Sequence, residues 1–452
     1  MKHFTVRQLV DATGGVYYGD PAGLDGEICF VTSDSRAAGP GALFVAFVGA
    51  RVDGHSFMAR CLAAGAVCCL SEREPSDGER PCVRVDSTLR AMGALAAWHR
   101  SRFAIPVVGV TGSVGKTTTK EMIAAVLSAR FRTHKTEKNF NNELGVPQTL
   151  LKLDEADEVS VVEMGISDFG EMRRLTNMVR PTIAVLSVIG DSHLEALGDH
   201  EGVLRAKGEI FESMSPEDLA VLNGDDETLE HFTPPTRCCT YGLGAGNDFV
   251  AENVENLGEE GTRCTIRHGD SRFEAHIPAF GVHMVYAALA ATAVGAALGM
   301  TDAEIAEGIA RYQTVGERAH VIHTQKLTIL SDCYNANPSS TGAALESLKL
   351  LPGRRVCVLG DMLELGEHTV ELHAQVGASA AHSGVELVLA AGELSRYICE
   401  GATEAGAQAI WFENRDALIR ALPEWIREGD CVLVKASHSM AFEAVTEALE
   451  QW

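Results

Sequence analysis

Residues 109–118 read GVTGSVGKTT. A Gly-rich turn, a lysine and two threonines at this spacing can hold phosphate. Backbone N–H groups of the turn point at the oxygens, the ammonium of Lys116 adds positive charge, and the hydroxyl of Thr117 offers a ligand to Mg2+. The strict pattern asks for glycine five residues before Gly115. That place is Val110, so the loop is better written TGxxGKTT, comprising Thr111, Gly112, Ser113, Val114, Gly115, Lys116, Thr117 and Thr118. Phosphoryl transfer also needs a second oxygen ligand near the end of a neighbouring strand. Glu163, closing VSVVE, is the candidate, because an acid ending a buried strand is costly unless paired or metal-bound. His193 follows another strand end and Lys207 lies in a predicted helix. By type and spacing alone, these two read as a structural imidazole and a cation on a solvated helix face.

The elements that position these residues fall into three segments: 1–103, 104–317 and 318–452. The first mixes short strands with turns, as in ALFVAFVGARVDGHSF (42–57). At 104 the pattern changes to AIPVVGV, a continuous apolar run expected of a strand buried on both faces of a parallel sheet. Strands and helices then alternate, with strands predicted at 159–164, 182–189 and 219–226, which is the doubly wound α/β signature. The third segment repeats the alternation through LTILSD, RRVCVLGD, ELVLAAG, QAIWF and DCVLVKAS.

The chain has 452 residues and a formal net charge of −24. That charge argues against nucleic-acid or anionic-membrane binding, which need a basic face, but not against nucleotides, which local cations and helix N-termini can hold. The longest apolar run, 287–300, is short of the roughly 20 residues of a membrane span. The twelve cysteines include two adjacent pairs and no CxxC, so they read as reduced, buried thiols of a cytoplasmic protein.

Taken together, the motifs resemble those of the Mur ligase family, whose members add amino acids or a dipeptide to a UDP-linked muramoyl peptide. The resemblance is carried by SDSRAAGPGALFVAFVGARVDGHSF (33–57), TGSVGKTT (111–118), NFNNELGVPQTLL (139–151), HLEALGDHEGVLRAKGEIF (193–211), YNANPSST (334–341) and VLGDMLELGEHTVELH (358–373). It covers essentially the whole chain. YNANP together with GDMLELG points to the member that uses D-Ala-D-Ala. The resemblance implies a three-domain α/β fold: a small α/β UDP-substrate domain, a central P-loop doubly wound ATPase domain and a C-terminal Rossmann-like domain. It implies ATP and two Mg2+ ions as cofactors, UDP-N-acetylmuramoyl tripeptide and D-Ala-D-Ala as substrates, and a monomer.

Carried over residue by residue, the resemblance gives Lys116 to the ATP phosphates, Thr117 and Glu163 to one Mg2+, and His193 to the second. Lys207 matches a lysine carried as a carbamate, which would turn an ammonium that repels Mg2+ into an oxygen ligand. Ser33, Asp34, Ser35 and Arg36, with Asp53, Gly54 and His55, match the uridine-nucleotide stretches. Asn139, Asn141 and Asn142 match an asparagine cluster near the reacting groups. His283, Arg318, Asp332, Tyr334, Asn335 and Asn337 match positions around ATP. The chain departs from the pattern at four places. Met284 and Ala287 replace two asparagines after His283, Ser331 replaces the first acid of DDSYNANP, and His438 replaces the arginine of KGSR. A thioether at Met284 suits the face of an adenine ring. A histidine at 438 is no substitute for a rigid, permanently charged fork, and makes carboxylate binding depend on imidazole protonation. Rival readings are a paralogue using another amine donor or peptide stage, a folylpolyglutamate-synthase-like ligase, and a non-catalytic nucleotide-binding protein.

Overall fold

The computed structural model describes residues 1–49, 52–314 and 320–452. Among them the strands form three large sheets and a two-stranded ladder. The first sheet runs, in spatial order, Val16–Tyr18, Cys82–Arg84, Cys68–Ser71, Ala42–Val45 and Phe30–Thr32, parallel except for Val16–Tyr18. Because the other four strands are parallel, the segments following Thr32, Val45 and Ser71 gather at one edge. Ligands bind at the carboxyl ends of strands in open α/β sheets, so 33–36 and 53–55 are brought together where a ligand would sit.

The helix Thr88–Ser101 is capped by Ser87, whose hydroxyl accepts the Arg90 amide at 3.4 Å. Its buried face, with Ala91, Met92, Leu95 and Ala96, packs on the helices Val6–Thr13, Gly145–Leu150 and Glu171–Val179. One apolar core therefore runs from Phe4, Leu43 and Leu70 through Leu95 to Val146, Leu175 and Leu222 without interruption.

The central sheet has Val107–Thr111 between Ile183–Leu186 and Val159–Glu163, all parallel, with Thr133–Lys135 at one edge. Its strands are shorter than the sequence predicts. The strand expected at 182–189 ends at Leu186, because Ser187 and Val188 turn away to brace the phosphate loop: Ser187 Oγ donates to the Val114 carbonyl at 2.5 Å and the Val188 carbonyl accepts the Ser113 amide at 2.7 Å. The strand expected at 219–226 ends at Asn223, because Asp226 caps the next helix through the amides of Thr228 and Leu229. Beyond Arg237–Gly242 the sheet is extended by Phe249–Asn256, Thr262–His268 and Ser271–Ile277, the last two antiparallel. The helix His283–Ala297 packs on the helix Lys116–Leu127, its alanines allowing close approach.

The third sheet runs His320–His323, Thr328–Ser331, Asp430–Lys435, Arg354–Gly360, Leu387–Ala391 and Gln408–Phe412, parallel except at its first strand. It is covered on both faces. Helices Pro338–Leu348, Thr369–His382 and Arg396–Glu404 bury Leu345, Val376 and Ile398 on one side. Helices Arg415–Trp425 and Glu443–Glu450 bury Leu422 and Val445 on the other.

Candidate active site

The phosphate loop joins the central strand to the helix Lys116–Leu127. Gly112 has φ 147° and Gly115 φ 79°. A Cβ at Gly112 would lie 2.0 Å from Ser187 Oγ, so no larger residue fits there. Gly115 opens the helix with no side-chain cap, leaving the first-turn N–H groups facing the cavity, where an anion would accept them. Lys116 Nζ lies over the loop and donates to the carbonyls of Gly112 (2.7 Å) and Ser113 (3.1 Å).

This loop forms one wall of a cavity of about 850 Å3. Ser113 to Thr118, Asn141, Asn142, Glu163, His193, His283 and Met284 line it from the central unit, and Asp332, Tyr334, Asn335, Asn337 and Lys435 from the third. Thr111 and Gly112 lie behind the wall and shape the loop. Glu163 is buried at the strand end, where Oε1 accepts Thr117 Oγ1 at 3.0 Å and Asn141 Nδ2 at 2.8 Å. Glu163 Oε2 accepts no hydrogen bond and faces the fully buried Lys120 Nζ at 3.6 Å. Lys120 also donates to the Thr136 carbonyl at 2.9 Å and pairs with Glu121 at 3.0 Å. Asn141, expected in the asparagine cluster near the reacting groups, thus sits against Glu163. Asn142 Oδ1 accepts the amides of Leu144 (3.2 Å) and Gly145 (2.9 Å). Asn139 is exposed and does not line the cavity.

Lys207 corrects the reading from spacing. It does not face solvent: its side chain is 0% exposed and its Nζ has no hydrogen-bond partner. Burial, and then Lys116, hold its pKa well below the ordinary lysine value, so the uncharged amine is favoured relative to an exposed lysine. The helix His200–Gly208 is only weakly amphipathic, and its two faces could not be told apart from sequence. His193 is half-buried at φ 58°, with Nδ1 2.5 Å from Glu364 Oε2 of the third unit. Burial lowers its pKa against the opposing pull of Glu364. Burial likewise lowers His283.

The third unit closes the cavity through polar contacts. Asn337 caps the helix Pro338–Leu348, accepting the Ser340 amide at 2.8 Å, while its Nδ2 donates to Ser192 Oγ at 2.7 Å. Ser339 Oγ donates to Asp191 Oδ2 at 3.1 Å. Lys435 Nζ holds Asp332 Oδ2 at 2.5 Å and the Asn335 carbonyl at 2.8 Å. Arg318 lies outside the described residues.

Of the departures, Met284 and Ala287 line the cavity. Ser331 does not. It is buried under the helix Glu443–Glu450, with Oγ 3.2 Å from Thr446 Oγ1. His438 does not line the cavity either. Its side chain is 71% exposed, with the ring 5.6 Å from that of Tyr334.

The expected nucleotide-sugar residues stand apart at the edge of the first sheet. Arg36 grips Asp34 through Nε (2.9 Å) and Nη2 (2.7 Å), and these hydrogen bonds hold the Asp34 carboxyl down to about 2. His55 is 3% exposed and both its nitrogens are used: Nδ1 donates to Asp53 Oδ1 at 2.6 Å and Nε2 accepts the Glu72 amide at 3.1 Å. It braces the edge rather than presenting itself. Gly54 lies where a Cβ would meet the Phe47 carbonyl at 2.7 Å.

Sequence reading missed Lys120, Glu364, Lys435 and Tyr286, whose hydroxyl donates to Asp225 Oδ2 at 3.0 Å in the cavity wall. Glu364 and Lys435 sit inside quoted motifs, which was the available signal. Lys120 and Tyr286 carried none.

Could this site hold Mg2+? The donors are a hydroxyl, a carboxylate with one oxygen free of hydrogen bonds, and a neutral imidazole. Hard oxygen donors fit Mg2+, and the buried amine of Lys207 fits only as an oxygen-bearing derivative. Among the described residues, the one group of three or more His, Cys, Asp or Glu ligand atoms within 4.8 Å of one another is His3, Glu27 and Cys29, outside the cavity.

Comparison with known proteins accords with this geometry. The Mur ligase middle-domain model matches residues 110–295, the Mur ligase glutamate ligase domain residues 311–438, and the Mur ligase family catalytic domain residues 27–100. The UDP-N-acetylmuramoyl-tripeptide–D-alanyl-D-alanine ligase of Bacillus subtilis is 38% identical over 428 residues, 93% of this chain and 92% of that one. A crystal structure of MurF from Acinetobacter baumannii superposes with a TM-score of 0.91 at 31% identity, covering 100% of both chains. MurF of Thermotoga maritima in complex with ADP has a TM-score of 0.83 at 29% identity, covering 93% of this chain and 97% of that one.

Proposed function

The chain belongs to the Mur ligase family, and from that premise we infer that it is the ATP-dependent ligase that joins D-Ala-D-Ala to UDP-N-acetylmuramoyl tripeptide, a step of peptidoglycan synthesis. The observation that carries this is the single cavity in which the phosphate loop, Glu163 and His193 meet Asp332, Asn335 and Asn337 of the third unit.

A carboxylate is a poor acyl donor because its leaving group would be oxide. ATP supplies a better one: the γ-phosphoryl passes to the tripeptide's terminal carboxylate, giving an acyl phosphate and ADP. The amine of D-Ala-D-Ala then attacks the acyl carbon, the amide forms and phosphate leaves. Lys116 and the N–H groups at the start of the helix Lys116–Leu127 neutralise charge on the transferring group. Thr117, Glu163 and His193 would hold Mg2+, whose charge also stabilises the transferring phosphoryl. Lys120, buried behind Glu163, faces that carboxylate at 3.6 Å and helps hold it in place. Burial favours the uncharged amine of Lys207, the form that would attack CO2 to give a carbamate with loss of a proton. That would convert an orphaned buried nitrogen into a hard oxygen donor. Ser33, Asp34 and Arg36 bind the uridine nucleotide at the edge of the first sheet. The units are an N-terminal substrate domain (1–103), a central ATPase domain (104–317) and a C-terminal domain (318–452). Enclosure of the cavity by the third domain keeps water from the acyl phosphate.

The reaction belongs in the cytoplasm, where ATP and nucleotide-linked substrates are at hand. All twelve cysteines are free thiols, and among the described residues no helix is long and apolar enough to cross a membrane. The test is phosphate release from ATP and Mg2+ with UDP-N-acetylmuramoyl tripeptide, with and without D-Ala-D-Ala, followed by the product mass. Dipeptide-dependent release and a pentapeptide product are expected. Release that ignores the dipeptide would overturn the assignment of the amine donor.

A further inference from the structure

His193 is held from outside the central domain. Glu364 Oε2 lies 2.5 Å from its Nδ1, and the Glu364 carbonyl accepts the Glu195 amide at 3.2 Å. Both partners have left-handed backbone, φ 58° at His193 and φ 64° at Glu364. Such conformations in non-glycine residues persist only where the surroundings over-determine them. Gly366, at φ 60°, lies where a Cβ would approach Glu195 Cα to 3.0 Å, so the turns meet backbone to backbone. Within the third domain the turn at 361–366 is fixed from behind. Ser437 Oγ accepts the Leu363 amide at 3.1 Å, and His373 Nε2 accepts the Met362 amide at 3.0 Å while its Nδ1 donates to the Thr369 carbonyl at 2.7 Å. A surface ion pair needs none of this apparatus.

We propose that Glu364 is a positioning residue that acts across the domain interface: its carboxylate, 2.5 Å from His193 Nδ1 but off the line of an Nδ1–H hydrogen bond in this structure, takes that N–H when metal binds, which leaves the lone pair on Nε2 for the second metal ion. A metal-ligating histidine characteristically donates its other ring N–H to a carboxylate or carbonyl, and removal of such a partner weakens metal binding. Here the partner belongs to a different domain from the ligand. Metal affinity and domain docking are therefore linked, and each must favour the other by the same factor. The inference rests on the proposed ligase reading, in which His193 ligates metal.

The test uses the full-length protein with a non-hydrolysable ATP analogue and UDP-N-acetylmuramoyl tripeptide. Mn2+ is the probe, titrated by electron paramagnetic resonance, and small-angle scattering reports closure. Glu364→Ala should weaken the weaker class of Mn2+ sites by about 10- to 100-fold and shift scattering toward an open form. Glu364→Gln, whose amide oxygen still accepts from Nδ1–H, should recover most of both. In a His193→Ala background, Glu364→Ala should add no further loss. Unchanged Mn2+ affinity in Glu364→Ala would overturn the proposal. So would Glu364→Gln as damaged as Glu364→Ala, since that would make the carboxylate itself a ligand. Failure of the ligase reading shows separately, as wild-type protein that releases no phosphate in response to the dipeptide.

Discussion

Replacing Lys207 with methionine should make the ligand-free protein more stable while abolishing the reaction. The lysine side chain is 0% exposed, its nitrogen has no partner, and burial lowers its pKa below that of the unfolded chain. An unpaired polar group in an apolar setting costs about 1–3 kcal/mol on mutational evidence, and methionine fills similar space without that group. The pH dependence has a definite sign. The folded pKa is depressed, so between it and the ordinary lysine value of 10.5 the unfolded chain carries a proton that the folded chain lacks. Stability contributed at this site therefore rises with pH across that window, by up to about 1.4 kcal/mol per pH unit, and falls as the medium is acidified toward the folded value. Lys207→Met should gain about 1–3 kcal/mol at neutral pH and lose that slope. Hydrogen exchange at the amides of the helix His200–Gly208, in CO2-free buffer at several pH values, reads opening of this element alone. Bicarbonate should change wild-type protection and leave the variant unmoved. Parallel stability–pH curves for the two proteins would refute a neutral amine in a dry pocket. Full phosphate release by Lys207→Met would refute its place in the catalytic machinery.

Four other outcomes are expected. Lys116→Ala should lower dipeptide-dependent phosphate release by about 10²- to 10³-fold, with little change in unfolding midpoint, since water can take over the Gly112 and Ser113 carbonyls it bonds. Glu163→Gln should remove activity and destabilise the central domain by roughly 2 kcal/mol, less than the full cost of stranding a buried charge because Glu121 still pairs with Lys120; urea unfolding checks the second part. Arg36→Ala should raise the KM for the UDP-substrate about tenfold through loss of a charged hydrogen-bonding fork, with the KM for ATP unchanged. His438→Ala should leave the KM for D-Ala-D-Ala within about twofold across pH, as for an exposed surface residue. A steep pH-dependent loss in that variant would restore the role expected from its KGSR-like context.

Much of the fold was legible because its signals are local. The run VVGV before TGSVGKTT announces a buried strand entering a phosphate loop, and Glu163 could be singled out because acids seldom close such strands. Burial of Lys207 was not legible. Its helix is rich in polar residues, and what hides it is tertiary packing that no periodicity encodes. The same holds for Ser331 and His438. Both sit in motifs beside site residues, yet Ser331, on a strand whose neighbouring side chains alternate faces, turns into the core against Thr446, and His438, opening a short 3-10 helix past the strand, turns out to solvent. His55 shows the limit of motif transfer from the other side: the motif places it correctly at the sheet edge, but its two hydrogen bonds make it a brace.

The distribution of apolar contact also decides which domain can move. The first and central domains share one core, with Phe4 and Leu95 in the same cluster as Leu175 and Leu222. Separating them would expose fully buried side chains, each worth about 1.5–3 kcal/mol, so they act as one body. The third domain has cores around Leu345 and Leu422; across the seam, among the described residues, only Phe280 joins the first of these and Leu372 packs on the core of the other two domains, while at the cavity mouth the contacts are polar: Asn337 with Ser192, Ser339 with Asp191, Glu364 with His193. Water can replace polar contacts of this kind at small net cost. Opening must then occur between the central and third domains, along a seam that runs through His193. Product release and the assembly of the phosphoryl-transfer site would be the two directions of one motion, with the His193–Glu364 contact as its last step on closing and its first on opening.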